Sequence, residues 1–159
     1  MDTSPKKELL RFLSEDIRSG DITSSLLPSK KIKAKIISRE QGIIAGVGFA
    51  RTIFQLKGCT TKIFTKDGSN VKSNQTILQV SGNAKSILSC ERTVLNLLSR
   101  MSGIATKTNC LVSQIKKYSK KTNLYSTRKT APGLRYFDKE AVKIGGGHKH
   151  RMALDDMVM

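Results

Sequence analysis

The chain has 159 residues, of which 38% are apolar and 26% charged, a composition typical of a globular protein long enough to bury a core. Its net charge of +17 favours nucleic acid, an anionic membrane face or small anionic substrates as partners, although most of the lysines are expected only to solvate the surface. No apolar run approaches the roughly 18 residues of a membrane span, and the N-terminus lacks the apolar centre of a signal peptide, so we expect a cytoplasmic protein.

The N-terminal part predicts a helix, a loop and a strand. Ser4-Pro5 is a helix start with a capping side chain, and Gly20 is the corresponding stop. The turn residues of 20–29 predict a loop. The segment KIKAKIIS (31–38) alternates lysine with apolar residues, which is typical of a half-exposed antiparallel strand.

The middle of the chain continues as a mixture of strands and helices. The glycines of 41–49 lack the spacing of a nucleotide-binding loop, so we interpret them as strand ends and sites of close backbone packing. A short amphipathic helix follows at 49–56, and 61–82 predicts a strand, an Asp-Gly turn and a second strand. The longest helix signal covers 84–103, where Ser-Gly predicts its end, and a separate helix is expected at 104–118.

The last part of the chain predicts the start of a β/α alternation. A short strand leads into a basic loop at 123–130, and a short helix ends at glycine in 138–147. We therefore predict an α/β fold with an N-terminal α+β sandwich domain at 1–104, built on an antiparallel sheet. The beginning of an open β/α barrel domain is expected at 105–159.

The residues suited to chemistry are mostly cations near the end of the chain. Arg128 and Lys129 follow the strand, where β/α folds place active-site loops, and together they suit a ligand with several anionic groups. Gly145–Gly147 could let backbone N–H groups approach that ligand. His148 and His150 have no nearby cysteine or carboxylate, which makes a poor metal site. Arg92 by itself reads as an ordinary surface arginine.

Three cysteines, Cys59, Cys90 and Cys110, are widely spaced. They predict reduced, mostly structural thiols and neither a disulfide framework nor a zinc site. No serine–histidine–aspartate set and no pair of catalytic carboxylates is evident. If the protein is an enzyme, electrostatics and positioning are expected to carry the catalysis in this part of the chain.

Five motifs occur in order along the sequence. They are EDIRSGDITSSLL (15–27), REQGIIAG (39–46), ERTVLNLLSRMSGIAT (91–106), TRKTAPGLR (127–135) and KEAVKIGGGHKHRMALDD (139–156). Together they resemble the quinolinate phosphoribosyltransferase family, also called nicotinate-nucleotide pyrophosphorylase (carboxylating). The resemblance covers nearly the whole chain, and five motifs in register are far more specific than any one alone.

The resemblance implies a pentosyltransferase of de novo NAD biosynthesis. Such an enzyme joins quinolinate to phosphoribosyl pyrophosphate with Mg²⁺ and releases nicotinate mononucleotide, pyrophosphate and CO₂. It also implies a homodimer or higher homo-oligomer in which the N-terminal domain of one subunit covers the barrel mouth of the other. Membranes are not expected as partners, and nucleic acid is disfavoured because the chain has few aromatic residues.

The resemblance also assigns roles residue by residue. Arg92 is implied to reach quinolinate in a neighbouring subunit. Arg128 and Lys129 would line the substrate pocket, with Lys129 as the candidate catalytic residue. His150 and Arg151 would grip a carboxylate of quinolinate. Thr127 and Thr130 would flank the pocket, while Asp21 and Thr23 are expected to be structural.

The family pattern is substantially longer than this sequence. The acidic residues that would hold Mg²⁺ and phosphoribosyl pyrophosphate, and the glycine loops for the 5-phosphate, are not found in it. We therefore expect a fragment, a truncated product or part of a split protein that binds quinolinate poorly and does not turn over alone. Two alternatives stay open, a related phosphoribosyltransferase-like protein of molybdenum operons and a non-catalytic, basic nucleic-acid-binding module.

Overall fold

A computed structural model describes residues 4–157 as a mixed arrangement of helices and short antiparallel sheets. The elements in chain order are α1 (Pro5–Ile17), α2 (Ile22–Ser25), β1 (Lys31–Ile37), β2 (Gly42–Ile43), α3 (Val47–Leu56), β3 (Thr60–Ile63), β4 (Asn70–Val71), β5 (Thr76–Asn83), α4 (Ala84–Tyr118) and α5 (Arg135–Ile144). Strands β1, β5 and β3 form one sheet in that order, and β2 pairs with β4.

The three-stranded sheet follows from the alternation of residue types along its strands. Ile36, Leu78 and Ile63 are aligned across β1, β5 and β3 and face the core, where Leu78 is fully buried. The lysines of β1, Lys31, Lys33 and Lys35, point to the opposite, solvent-exposed side. The predicted half-exposed antiparallel strand is therefore confirmed, because successive side chains of a strand point to opposite faces.

Helices α1, α3 and α4 pack against one another, and α3 and α4 also pack on the strands. Buried Leu9 and Leu13 of α1 belong to the same apolar cluster as Ile53 and Phe54 of α3. The short amphipathic helix predicted after residue 48 is confirmed, with its start two residues earlier. These helices bury the apolar face of the sheet and form the core.

The N-terminal turns differ in detail from the prediction. Helix α1 begins at Pro5, but the Ser4 side chain makes no capping hydrogen bond, and the helix ends at Ile17, before Gly20. The predicted loop at 20–29 contains the single-turn helix α2, because the Asp21 carboxylate accepts a hydrogen bond from the Ser24 backbone N–H at 2.9 Å. These contacts support the expected structural role of Asp21.

Helix α4 is continuous over 35 residues, about 50 Å, so the prediction of two helices is wrong. Gly103 lies inside α4 and does not end it. Ser102 and Thr106 accept hydrogen bonds from the backbone N–H groups of Ala45 (3.0 Å) and Ile43 (2.8 Å). The small polar residues therefore serve to dock β2 on the helix. No break in secondary structure marks the predicted boundary at residue 104.

Close backbone packing explains the glycines that follow β1. A Cβ at Gly42 would lie 2.6 Å from Thr106 Oγ1, and Gly46 has a left-handed φ of 98° at the start of α3. The interpretation as packing positions is confirmed for Gly42 and Gly46 but not for Gly48, which is exposed inside α3 with no atom closer than 3.9 Å to an added Cβ. No helix among residues 4–157 is both long and apolar enough to cross a membrane.

The C-terminal part forms the beginning of a parallel β/α unit. Tyr125 and His148 form an isolated parallel bridge, with Ser126 N–H donating to His148 O and His148 N–H donating to Leu124 O, both at 2.9 Å. The predicted strand at 123–130 is thus reduced to one bridge. Helix α5 connects the two bridge segments and packs on α4, and it begins before the predicted residue 138.

The cysteines are free, as the sequence predicted. Cys59 and Cys90 are buried, whereas Cys110 is exposed. Burial raises the pKa of the Cys90 thiol to about 11. Cys90 is therefore an uncharged core side chain at neutral pH.

A two-point ion pair joins α5 to α4. Arg100 donates from Nε and Nη2 to the two carboxylate oxygens of Asp138, at 2.7 and 2.9 Å. The Asp138 side chain is 8% exposed and the Arg100 side chain 39%. The bond to Asp138 raises the pKa of the Arg100 guanidinium. The pair therefore fixes the position of α5 on the long helix.

Asp138→Ala is expected to lower the free energy of unfolding by about 2 kcal/mol, because a charge-assisted pair of hydrogen bonds is lost. Urea denaturation measures the change. Glu15→Ala is the matched control, since Glu15 pairs with Arg11 at 3.8 Å and is 73% exposed, and it should cost no more than about 0.5 kcal/mol. Equal effects of the two variants would contradict this prediction.

Candidate functional site

The two cation-bearing segments begin at the same edge of the parallel bridge. Thr127, Arg128 and Lys129 directly follow one bridge segment, and His150 and Arg151 follow the other. The carboxyl ends of parallel strands meet at one edge, which is where β/α folds form their sites. The fold thus brings five of the six candidate residues to one place.

Arg128 is the half-buried cation of the first segment. Its Nε is buried and has no hydrogen-bond partner in residues 4–157. A buried guanidinium N–H without an acceptor costs free energy unless an anion accepts from it. Thr127 Oγ1 accepts a hydrogen bond from the Lys129 backbone N–H at 3.1 Å, and this tight turn leaves the Lys129 side chain exposed.

The second segment has an unusual backbone. His150 has a φ of 54°, in the left-handed region that non-glycine residues adopt at a cost on the order of 1 kcal/mol. The ring of His148 stacks on Tyr125 with centroids 5.0 Å apart, and the His150 ring lies edge-on to Tyr125 at 6.0 Å. Arg151 is half-buried and donates to Met157 O at 3.2 Å.

Arg135 connects the first segment to the chain beyond the second. Its Nε donates to Thr130 Oγ1 at 3.4 Å, and its Nη1 donates to Met152 O at 3.0 Å. The Thr130 hydroxyl is therefore already bound to a cation of its own chain, Arg135. Arg135 adds a further positive charge to this edge.

Lys139 is a buried cation that the sequence did not single out. It is only 1% exposed, and its Nζ donates to Ser126 Oγ at 3.0 Å and to Lys149 O. Burial lowers the pKa of the Lys139 ammonium, and nearby Arg135 lowers it further. The sequence alone does not distinguish Lys139 from Lys143. Both are lysines of α5, one helical turn apart, but Lys143 is exposed.

Arg92 is separate from the other candidates. It lies on the exposed side of α4, and among residues 4–157 it has no side-chain hydrogen bond or ion pair with the two segments. The geometry of one chain does not explain its assigned role. The role that the family resemblance implies would need a second subunit.

The glycine run serves packing and not ligand contact. Its three backbone N–H groups donate within the chain, from Gly145 to Ala141 O, from Gly146 to Lys143 O and from Gly147 to Val142 O. A Cβ at Gly145 would lie 2.4 Å from Ala105 O. The prediction that these N–H groups face a ligand is wrong, because the end of α5 uses all of them.

The described residues offer no metal centre. Among residues 4–157, no group of three or more histidine, cysteine, aspartate or glutamate side chains could hold a metal ion.

An open cleft of about 420 Å³ lies beside the first segment, lined by Pro5, Glu8, Ala131, Pro132, Gly133, Arg135, Tyr136, Phe137 and Met152. None of the six candidate residues lines this cleft.

Comparison with known proteins identifies the family. Residues 21–102 match the model of the quinolinate phosphoribosyl transferase N-terminal domain, and residues 104–159 match that of its C-terminal domain. The chain belongs to the quinolinate phosphoribosyltransferase family. Its mixed fold class is confirmed, with antiparallel sheets followed by the start of a β/α unit.

Individual relatives agree with this assignment. A probable nicotinate-nucleotide pyrophosphorylase (carboxylating) of Archaeoglobus fulgidus is 41% identical over 140 residues, covering 88% of this chain and 54% of the relative. The corresponding Bacillus subtilis protein is 39% identical over 157 residues, covering 97% and 54%. The chain thus spans about half the length of these curated relatives.

Solved structures show the same similarity. The nicotinate-nucleotide pyrophosphorylase of Francisella tularensis is 40% identical with a TM-score of 0.87, over 98% of this chain and 58% of that one. The Ehrlichia chaffeensis enzyme is 34% identical with a TM-score of 0.91, over 99% and 58%. None of these matches supports the molybdenum-operon or nucleic-acid alternative.

Proposed function

We propose that this chain supplies the quinolinate-binding part of a quinolinate phosphoribosyltransferase. The observation that carries the proposal is the buried, unpartnered Nε of Arg128 at the edge where the other cations gather. The names of the relatives support the reaction, in which quinolinate and phosphoribosyl pyrophosphate give nicotinate mononucleotide, pyrophosphate and CO₂.

The ligand chemistry fits these cations. Quinolinate carries two adjacent carboxylates, and the guanidinium forks of Arg128 and Arg151 suit carboxylates better than a point charge does. His150 can donate a further hydrogen bond to a carboxylate. The exposed Lys129 is the candidate catalytic residue, because a nearby ammonium would stabilise the electron density left on the ring when CO₂ departs.

We further propose that a second copy of the chain completes the site. Arg92 is exposed on α4 and distinct from the cation cluster, so its assigned contact with quinolinate requires a neighbouring subunit. A homodimer and a cytoplasmic location are part of this proposal. Mg²⁺ is implied for the family, but residues 4–157 contain no cluster of three or more histidine, cysteine, aspartate or glutamate side chains that fits it.

Calorimetric titration of the purified chain tests the proposal. Quinolinate should bind weakly but measurably, whereas nicotinate, which lacks one carboxylate, should bind at least about tenfold more weakly still, because one charge-assisted contact is worth about 1.5–3 kcal/mol. Arg151→Ala should remove the preference. Equal affinity for the two ligands, or no binding of quinolinate by a folded chain, would refute this function for the chain.

A further inference from the structure

Lys139 connects the two segments that carry the candidate binding residues. One of its hydrogen bonds reaches Ser126 Oγ, directly before Thr127, and the other reaches Lys149 O, directly before His150. Ser126 Oγ also donates to Lys149 O. A single ammonium therefore closes a three-way junction between α5 and both segments.

The junction lies where the backbone pairing of the two segments stops. The last backbone bond between them is from Ser126 N–H to His148 O. One residue later, the bonds that Lys149 O accepts within residues 4–157 come from the side chains of Ser126 and Lys139. These bonds fix the carbonyl that leads into His150, the residue with the left-handed φ of 54°. Lys139 thus holds the strained turn that presents His150 and Arg151.

The charges around Lys139 are mainly positive. Arg135 of its own helix, Arg128 of the first segment and Arg151 of the second lie near enough to disfavour its charge, and Asp156 opposes them. Among residues 4–157, no carboxylate forms an ion pair with Lys139. A buried ammonium in such surroundings is better explained by a role near an anion than by stability alone.

We propose that Lys139 is a positioning residue that holds the Arg128 and His150–Arg151 segments together for a dicarboxylate ligand. The proposal rests on the proposed function for the nature of that ligand. Lys139 acts through Ser126 and Lys149 and not by touching the ligand. Its positive charge also strengthens the potential that attracts the two carboxylates.

Lys139→Met separates this role from a merely structural one. Methionine has a similar length and removes the cost of burying an unpaired ammonium, while Lys149 O keeps its hydrogen bond from Ser126 Oγ. The midpoint of thermal unfolding should therefore stay the same or rise. Affinity for quinolinate should nevertheless fall on the order of 100-fold, because the charge-assisted contacts of both segments are weakened together.

The matched control is Lys143→Met, which removes an exposed charge from the same helix. Its affinity should stay within about twofold of the unchanged chain, since exposed charges are screened by salt. Full affinity in a folded Lys139→Met chain would overturn the proposal. If Lys139→Met does not fold, Ser126→Ala decides, because it removes one of the two Nζ partners. An unchanged affinity in Ser126→Ala would then overturn the proposal.

Hydrogen exchange gives a readout without any ligand. The Ser126 and His148 amides, which form the parallel bridge, should exchange at least about tenfold faster in Lys139→Met, because the bridge opens more often. Amides between β1 and β5 should not change. If the unchanged chain fails to bind quinolinate, the proposed function fails, but hydrogen exchange still tests whether Lys139 positions the two segments. Exchange at the Ser126 and His148 amides that is the same in both chains would overturn the positioning role of Lys139.

The pH dependence distinguishes loss of charge from loss of fold. The pKa of Lys139 lies below its ordinary 10.5, chiefly because of burial and then Arg135. As pH rises through that lowered value, the folded chain loses this proton before the unfolded chain does, so the contribution of Lys139 to stability rises. Quinolinate affinity should fall over the same range, and Lys139→Met should lack this fall. A fall of equal size in both chains would contradict the proposed role of its charge.

Discussion

Arg128→Ala is expected to lower the affinity of the chain for quinolinate on the order of 100-fold or more. Truncating one partner of a buried, hydrogen-bonded charge pair costs about 2–5 kcal/mol. The buried Arg128 Nε has no hydrogen-bond partner within residues 4–157, so the whole cost should appear as weaker quinolinate binding. The fold should be unaffected, because no side-chain hydrogen bond of the described chain depends on Arg128. Calorimetric titration measures the affinity, and thermal unfolding confirms the fold.

Arg128→Lys tests whether geometry or charge is required. Lysine keeps the charge but loses the planar fork, so its affinity should lie between those of the unchanged chain and Arg128→Ala. Arg39→Ala, at an exposed position after β1, is the matched control and should bind normally. Similar losses in Arg39→Ala and Arg128→Ala would mean that only the net charge of +17 attracts the ligand.

Local patterns were sufficient for much of the fold and for the main cations. Alternation of lysine and isoleucine predicted β1, because a period of two belongs to a strand with one buried face. Arg128 and Lys129 follow a strand in a β/α pattern, and this position predicts that they belong to a site. Their convergence with His150 and Arg151 follows from a parallel pairing that the sequence only suggested.

The remaining errors concern residues whose roles depend on distant parts of the chain. Ser102 and Gly103 look like a helix end, but the Ser102 hydroxyl is used by the backbone of Ala45, 57 residues away. Lys139 looks like any helical lysine until α5 is placed against both segments. Such contacts leave no local periodicity, so propensity and spacing cannot reveal them.

The glycine run at 145–147 is the clearest example of residues whose role depends on distant parts of the chain. Three consecutive glycines suggest backbone N–H groups that face a ligand, yet Gly145 and Gly147 are buried against α4 and Val142. Their small size lets the end of α5 approach the long helix. The position of Lys139 and of the second cation segment depends on that approach.

Gly145→Ala is therefore expected to destabilise the chain by about 3 kcal/mol. The added Cβ would lie 2.4 Å from Ala105 O and 2.7 Å from Thr108 Cβ, and the Ala105 carbonyl belongs to the rigid backbone of α4. The end of α5 would have to move away, taking His150 and Arg151 with it. Urea denaturation measures the loss, and quinolinate affinity should fall in the fraction that stays folded.

Gly103→Ala is the control for this change, because it makes the same substitution inside α4 at an exposed position. No atom outside the helix lies within 4 Å of the added Cβ, and alanine in a helix interior is favoured over glycine by about 0.5–1 kcal/mol. This variant should therefore gain stability while Gly145→Ala loses it. A small effect at Gly145 would mean that α5 shifts easily on α4. The two cation segments would then not be held by the helix packing that places them at one edge.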